Sequence, residues 1–228
     1  MLFNRHGTHV AGIIGSTTFG VAKRVKLFGV KVLGKNGDGS LSQVMAGLDF
    51  AARDAAAARQ DGRCPKGAIG NISLGSGIKD RAMNDAARAA VDAGLFLSVA
   101  AGNAGVDAQD TSPASEPAVC TVAAVDQEDK QASFSNFGVA VDLYAPGVDV
   151  PSTFNDGSIQ TQSGTSMAAP HVAGLAAYLL ALDTTPAESK ASNALCGYIQ
   201  SLSTMNASGA PPPENGGSSA IAYNGNGA

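Results

Sequence analysis

Apolar residues along this chain alternate between two spacings, and that alternation constrains the fold more than any other feature. Short runs rich in β-branched and aliphatic residues at 25–33, 68–74, 95–101, 119–125 and 141–145 read as strands. Stretches of helical spacing lie between them. Residues 6–14 carry Val10, Ile13 and Ile14 on one face, and Ser40-Leu41-Ser42-Gln43 has capping-box form ahead of an Ala-rich helix reaching about residue 59. Residues 80–93 read as a helix with Gly94 placed to cap it, and residues 164–182 as a buried helix. Thr185-Pro186-Ala187-Glu188 joins a capping box to Pro at the first helical position and predicts another helix there. Strand–helix alternation implies an α/β fold, a parallel sheet flanked by helices on both faces. Residues 1–228 read as one domain, with 205–228 an irregular C-terminal tail. In such sheets ligands sit beyond the carboxyl ends of the strands. The glycine-bearing stretches 37–39, 75–77 and 102–105 all follow predicted strands.

Composition removes several classes. Hydrophobic residues make up 44% and charged residues 15%, the reverse of a disordered chain. The net charge is −4, from 15 Lys and Arg against 19 Asp and Glu, so no nucleic-acid partner is expected. The longest apolar stretch, 167–182, is interrupted by Pro170 and His171 and is too short for a membrane span, so no membrane is expected either. The first residues show no signal-peptide pattern. Cys64, Cys120 and Cys196 form no CxxC pair, so zinc is not suggested, and their odd number leaves one thiol over.

Acid–base work near neutral pH has three histidines to draw on: His6, His9 and His171. His6-Gly7-Thr8-His9 sets two imidazoles on one helical turn. That spacing fits a metal pair, though the HExxH glutamate and a third ligand are missing; it also fits two core or capping histidines. Gly164-Thr165-Ser166-Met167-Ala168 puts a serine in the first turn of a helix, near unpaired N–H groups that suit either an N-cap or an oxyanion. The α/β-hydrolase elbow does not fit, because position 168 is Ala and the only later histidine, His171, is on the same helix. Asn103, just past an apolar strand, suits a turn or a second oxyanion donor.

Taken together, the segments around these residues resemble the subtilisin-like serine proteases. His6-Gly7-Thr8-His9-Val10-Ala11-Gly12 is similar to their histidine motif. Gly164-Thr165-Ser166-Met167-Ala168-Ala169-Pro170-His171-Val172-Ala173-Gly174 is similar to their serine motif. Ala100-Ala101-Gly102-Asn103 resembles their oxyanion segment, and Ser73-Leu74-Gly75 the strand lining their primary specificity pocket. Cys64-Pro65-Lys66-Gly67, the segment from Ser112 to Pro117, and Ser133-Phe134-Ser135-Asn136-Phe137-Gly138 point to the proteinase K-like branch.

The resemblance implies a serine endopeptidase acting on protein or peptide substrates, a monomer, extracellular, needing no cofactor for its chemistry. Ser166 would be the nucleophile and His6 the general base. Asn103 and the Ser166 N–H would form the oxyanion hole. Substrate would add as a strand between Gly37, Asp38, Gly39 and Leu41 on one side and Ser73, Leu74 and Gly75 on the other. The pocket of Ser73–Gly75 with Ala100, Ala101 and Gly102 carries no charge and should favour apolar or aromatic side chains. The resemblance also implies a Cys120–Cys196 disulfide, a free Cys64, and a structural calcium held by Pro117, Val119 and Asp142.

The family orders its triad Asp, His, Ser, yet no Asp precedes His6 and no Asp-Ser/Thr-Gly occurs in the chain. The expectation is therefore a chain lacking N-terminal strands, including the one that carries the catalytic Asp. An open sheet edge should lie near His6, and these 228 residues alone should be insoluble or molten and without peptidase activity. The alternative is a catalytically incompetent fragment that at most binds peptides.

Overall fold

The computed structural model describes residues 5–182, 184–204 and 217–225. Most of the 205–228 tail, namely 205–216 and 226–228, lies outside the described residues. Strands β1 (Ala68–Ile72), β2 (Leu95–Ala100), β3 (Cys120–Val125) and β4 (Leu143–Pro146) form one sheet in that order, every neighbouring pair parallel. Helices α2 (Leu41–Gln60) and α3 (Arg81–Asp92) cover one face. Helices α4 (Thr165–Ala181) and α5 (Leu195–Leu202) cover the other. The sorting is visible along β2, where side chains alternate between faces. Leu95, Leu97 and Val99 pack with Val44, Leu48, Met83 and Ala87, whereas Phe96 packs with Leu179 and Leu195. The one polar residue on the α4 side, buried Ser98, donates to the Ala169 carbonyl at 2.8 Å, which satisfies its hydroxyl.

Local chemistry accounts for the helix ends. Ser40 and Gln43 form the reciprocal capping box that starts α2. The Asp80 carboxylate accepts from the Met83 N–H to start α3, and Gly94 takes φ +90° after its end. Helix α1 (His6–Gly15) has no side-chain cap. It is held instead by a hairpin the sequence reading did not foresee, β5 (Val150–Thr153) and β6 (Ile159–Gln162). Ser152 Oγ donates to the His9 carbonyl at 2.8 Å, Thr153 Oγ1 donates to the Thr8 carbonyl at 3.2 Å, and the buried His9 ring bonds the Gln160 carbonyl through Nε2 at 3.0 Å.

Two expectations are corrected. Residues 25–33, expected as a strand, form no ladder among the described residues. A strand needs a partner in register, and β1, the sheet edge, pairs with β2 alone. The segment nevertheless lies between two helices, with Val30 and Val32 against Gly47 of α2 and Val25 and Leu27 against Gly15 of α1. Leu27, Phe28 and Val30 remain 44%, 69% and 41% exposed. The second correction concerns Thr185. Its hydroxyl turns back to the Leu179 carbonyl at 2.7 Å instead of capping forward, and only a single 3₁₀ turn, Ala187–Lys190, follows before α5.

A disulfide joins Cys120, at the start of β3, to Cys196 in α5, with Cα atoms 5.6 Å apart. Cys64 is a free thiol whose Sγ donates to the Gly67 carbonyl at 2.7 Å. Among the described residues no helix is long and apolar enough to cross a membrane.

His171 gives the fold a pH dependence. Its Nδ1 bonds the Met167 carbonyl one turn back at 2.8 Å, and burial lowers its pKa below 6.5. The unfolded chain therefore takes up this proton first as the pH falls through 6.5, and stability is lost below that value. Burial shifts His6 and His9 the same way. Between pH 7 and pH 5 this lost contribution works against the gain from the buried Asp142 carboxyl, and His171→Gln is expected to lose less, or gain more, unfolding free energy over that range than the wild type. Equal slopes in urea titrations of the two proteins would contradict this.

Candidate active site

Ser166 is the second residue of α4, and Gly164 before the helix takes φ +152° to make the turn. Pro170, four residues on, has no N–H to give the Ser166 carbonyl. That carbonyl instead accepts from Ser73 Oγ at 2.8 Å, while Ser166 Oγ donates to the Ser73 carbonyl at 3.3 Å. The helix-breaking residue thus creates the acceptor that ties the serine to the strand end it must face. Ser73, Leu74 and Gly75 leave β1 at its carboxyl end, and a short bridge from Ser76 to Ser112 continues them.

Asn103 follows β2. Its Oδ1 accepts from the Thr165 N–H at 2.8 Å and from Thr165 Oγ1 at 3.0 Å. Thr165 Oγ1 also accepts from the Gly102 N–H at 3.1 Å. With its oxygen engaged, the Asn103 amide offers Nδ2 as a donor beside the first turn of α4. A carbonyl oxygen taking on negative charge there would meet donors already in place. Sequence reasoning gave Thr165 no role. Its burial beside an exposed Asn becomes visible only in three dimensions.

His6 is the first residue of α1, which packs against α4. A Cβ added to Gly174 would lie 3.1 Å from the Ile14 carbonyl oxygen, and Val10 and Met167 share one buried cluster. Ile14 is eight residues past His6, and Gly174 eight past Ser166. The helices therefore run parallel, with His6 and Ser166 each in the first turn of its helix. Burial, and then the neighbouring His9, lower the His6 pKa below 6.5, so its imidazole is neutral at pH 7, as a base must be. The Nε2 of His9 is taken by the Gln160 carbonyl.

The remaining site residues gather at the same end. Ala100 and Ala101 end β2, and Gly102 takes φ +108°. Gly37, Asp38 and Gly39 belong to the turn after residues 25–33, with Gly37 at φ +85° and the Asp38 carbonyl accepting from Gly34 at 2.6 Å. Leu41 and Leu74 border the same hydrophobic cluster. A cavity of 270 Å³ lined by Arg59, Gly67, Gly94, Phe96 and Lys190 lies at the other, amino-terminal end of β1 and β2 and includes none of these residues.

Asp142 precedes β4. Burial pushes its carboxyl up to about 6, against the Thr121 N–H that donates to it at 2.8 Å. Its oxygens lie near the sulfurs of Cys120 and Cys196, but those sulfurs are bonded to each other and offer no thiolate to a soft metal.

The Peptidase S8 model, described as the subtilase family, matches residues 1–221. The chain belongs to the subtilase family. Among this subtilase's curated relatives, Proteinase T of Parengyodontium album is 57% identical over 179 residues, covering 78% of this chain and 59% of the relative. Alkaline serine protease ver112 of Corniculantispora psalliotae is 53% identical over 201 residues, covering 88% and 50%. The cuticle-degrading protease of Metarhizium anisopliae is 51% identical over 222 residues, covering 96% and 54%. The subtilase chain thus spans about half the length of the curated relatives it matches. A crystal structure of a cold-adapted subtilisin-like serine proteinase superposes with a TM-score of 0.79 at 40% identity, covering 90% of this chain and 70% of the other. The fold is subtilisin-like.

Proposed function

We propose that this subtilase is an extracellular serine endopeptidase acting on protein or peptide substrates. Ser166 attacks the scissile carbonyl, and His6 takes its proton and returns it to the leaving amine. Asn103 Nδ2 and the Ser166 N–H receive the oxyanion. The observation that carries this reading is the placement of Ser166 in the first turn of α4, beside an Asn103 whose oxygen is already held by Thr165. The uncharged lining of Ser73–Gly75 and Ala100–Gly102 suits apolar or aromatic side chains. The disulfide fits an oxidising, extracellular compartment. A monomer with neither nucleic-acid nor membrane partners completes the reading. In the protein as isolated from its source, Asn103→Ala is expected to lower turnover by roughly 10²–10³ with little change in KM, a magnitude known from this family rather than derived from the geometry. A changed KM at unchanged turnover would refute the oxyanion role.

The chemistry needs no cofactor, and calcium would act as a structural ion. The residues fit it: Asp142 is a buried carboxylate with a raised pKa, fixed by Thr121 two residues past Val119, and a hard cation would relieve its burial. The carbonyls of Pro117 and Val119 would complete the set. Because the folded-state pKa is about 6 against an ordinary 3.8, the carboxylate weakens the fold as pH rises through that window, by about 3 kcal/mol in full. Asp142→Asn is therefore expected to raise the thermal midpoint in chelator at pH 7 and to abolish any rise on adding calcium. A variant that still responds to calcium would refute the site.

A further inference from the structure

The backbone around Asn103 is held by a side chain that the proposed chemistry does not use. Asn136 is 1% exposed, and its N–H and both ends of its side-chain amide bond to the loop that carries Asn103. Its N–H donates to the Gly102 carbonyl at 2.9 Å, and its Nδ2 donates to the Ala101 carbonyl at 2.9 Å. Its Oδ1 accepts from the Ala104 N–H at 3.0 Å and the Val106 N–H at 3.2 Å. The backbone is thus gripped on both sides of Asn103, at residues 101, 102, 104 and 106, leaving residue 103 free to face the site.

The fit is specific to an amide. The position needs a donor toward one carbonyl and an acceptor toward two N–H groups, which neither a carboxylate nor an apolar side chain supplies. Gly102 belongs to the same device. It sits at φ +108°, and a Cβ there would run into Asn136 Nδ2. The amide occupies the volume that any other residue at 102 would fill, and so holds the left-handed turn in front of Asn103. Thr165 clamps the far end of Asn103 by its Oδ1, so the donor is fixed from both directions.

We propose that Asn136 is a positioning residue for the oxyanion hole, acting through Asn103 by fixing the 101–106 backbone. This rests on the serine-endopeptidase reading above. Oxyanion donors act because they are preorganised, and a displacement of about 1 Å can cost about a hundredfold in rate.

The test uses the protein as isolated from its source, with Asn136→Asp, which is isosteric but sets a charged acceptor against the Ala101 carbonyl in place of the donor, and the neutral Asn136→Ser. Each is made with and without Asn103→Ala. The single variants are expected to lose about tenfold to a hundredfold in kcat with KM within about twofold. In the Asn103→Ala background the further loss is expected to be under about threefold, because the donor being positioned is gone. A residue that merely stabilised the fold would show the same loss in both backgrounds, and that result overturns the inference. So do single variants with wild-type kcat. A wild type without turnover overturns the endopeptidase reading itself, and the inference with it. Hydrogen exchange of the free wild type adds a check that needs no variant. The Ala104 and Val106 amides are expected to be protected before any substrate binds, and rapid exchange at both overturns the inference.

Discussion

Ser166→Ala is expected to abolish peptide hydrolysis, with turnover falling by about 10⁶, the magnitude this family has given rather than one derived from the geometry. Peptide binding should survive. The main-chain groups that would receive substrate lie on Ser73–Gly75 and on the turn at 37–39, and neither depends on the Ser166 hydroxyl for its backbone conformation. That hydroxyl makes one bond, 3.3 Å to the Ser73 carbonyl, whereas the shorter link between the two residues, Ser73 Oγ to the Ser166 carbonyl at 2.8 Å, is untouched by the change. The substitution should therefore separate chemistry from recognition. A fluorophosphonate is expected to label the wild type at Ser166 and to leave the variant unlabelled. Labelling that persists in Ser166→Ala, or a variant that still turns over peptide, would place the nucleophile elsewhere.

Expressed as these 228 residues and nothing more, the chain is expected to self-associate and to show no peptidase activity. The reason is the sheet edge. Among the described residues, one side of β1 has no strand partner and residues 25–33 join no ladder. Unpaired strand backbone recruits other chains. The same segment exposes Leu27, Phe28 and Val30, so the first contact would also remove apolar surface from water. Domain stability is only about 5–15 kcal/mol, and unpaired strand backbone can consume it. A monodisperse 22.7 kDa species with a cooperative thermal transition and measurable peptidase activity would contradict this expectation. Phe28→Lys together with Val30→Lys should raise the concentration at which association sets in, because charge on an edge opposes pairing.

What could be read ahead of the structure depended on how local the cause was. The capping box at Ser40 and the glycine after α3 are interactions within a few residues, and the structure has both. The faces of β2 follow from its period-two alternation. Residues 25–33 have the composition of a strand, but composition cannot supply a neighbour, and the segment stays unpaired. Thr185 has the form of a cap, but a carbonyl six residues back, on Leu179, takes its hydroxyl. The hairpin of β5 and β6 is short and polar outside Val150 and Ile159, so periodicity is silent there, although Asp156-Gly157 marks its turn. At the site, Ser166, His6 and Asn103 stand out because unusual residue types sit in distinctive segments. Thr165 and Asn136 do not, since their work is to hold other residues, and the bonds that show it span 62 and 35 positions of chain.

The close pass of α1 over α4 at Gly174 has a geometric consequence for the other end of those helices. The added Cβ that would meet the Ile14 carbonyl would also lie 2.7 Å from Val21 Cβ, so the crossing has no slack. Two parallel rods touching at a point with no slack behave as a calliper. A spacer of one carbon at the pivot would spread the helices two turns away, where α1 starts at His6 and Ser166 is the second residue of α4. The separation of those two residues, a base and its nucleophile on the proposed reading, is thus set at a position that touches neither, by an atom that glycine leaves out.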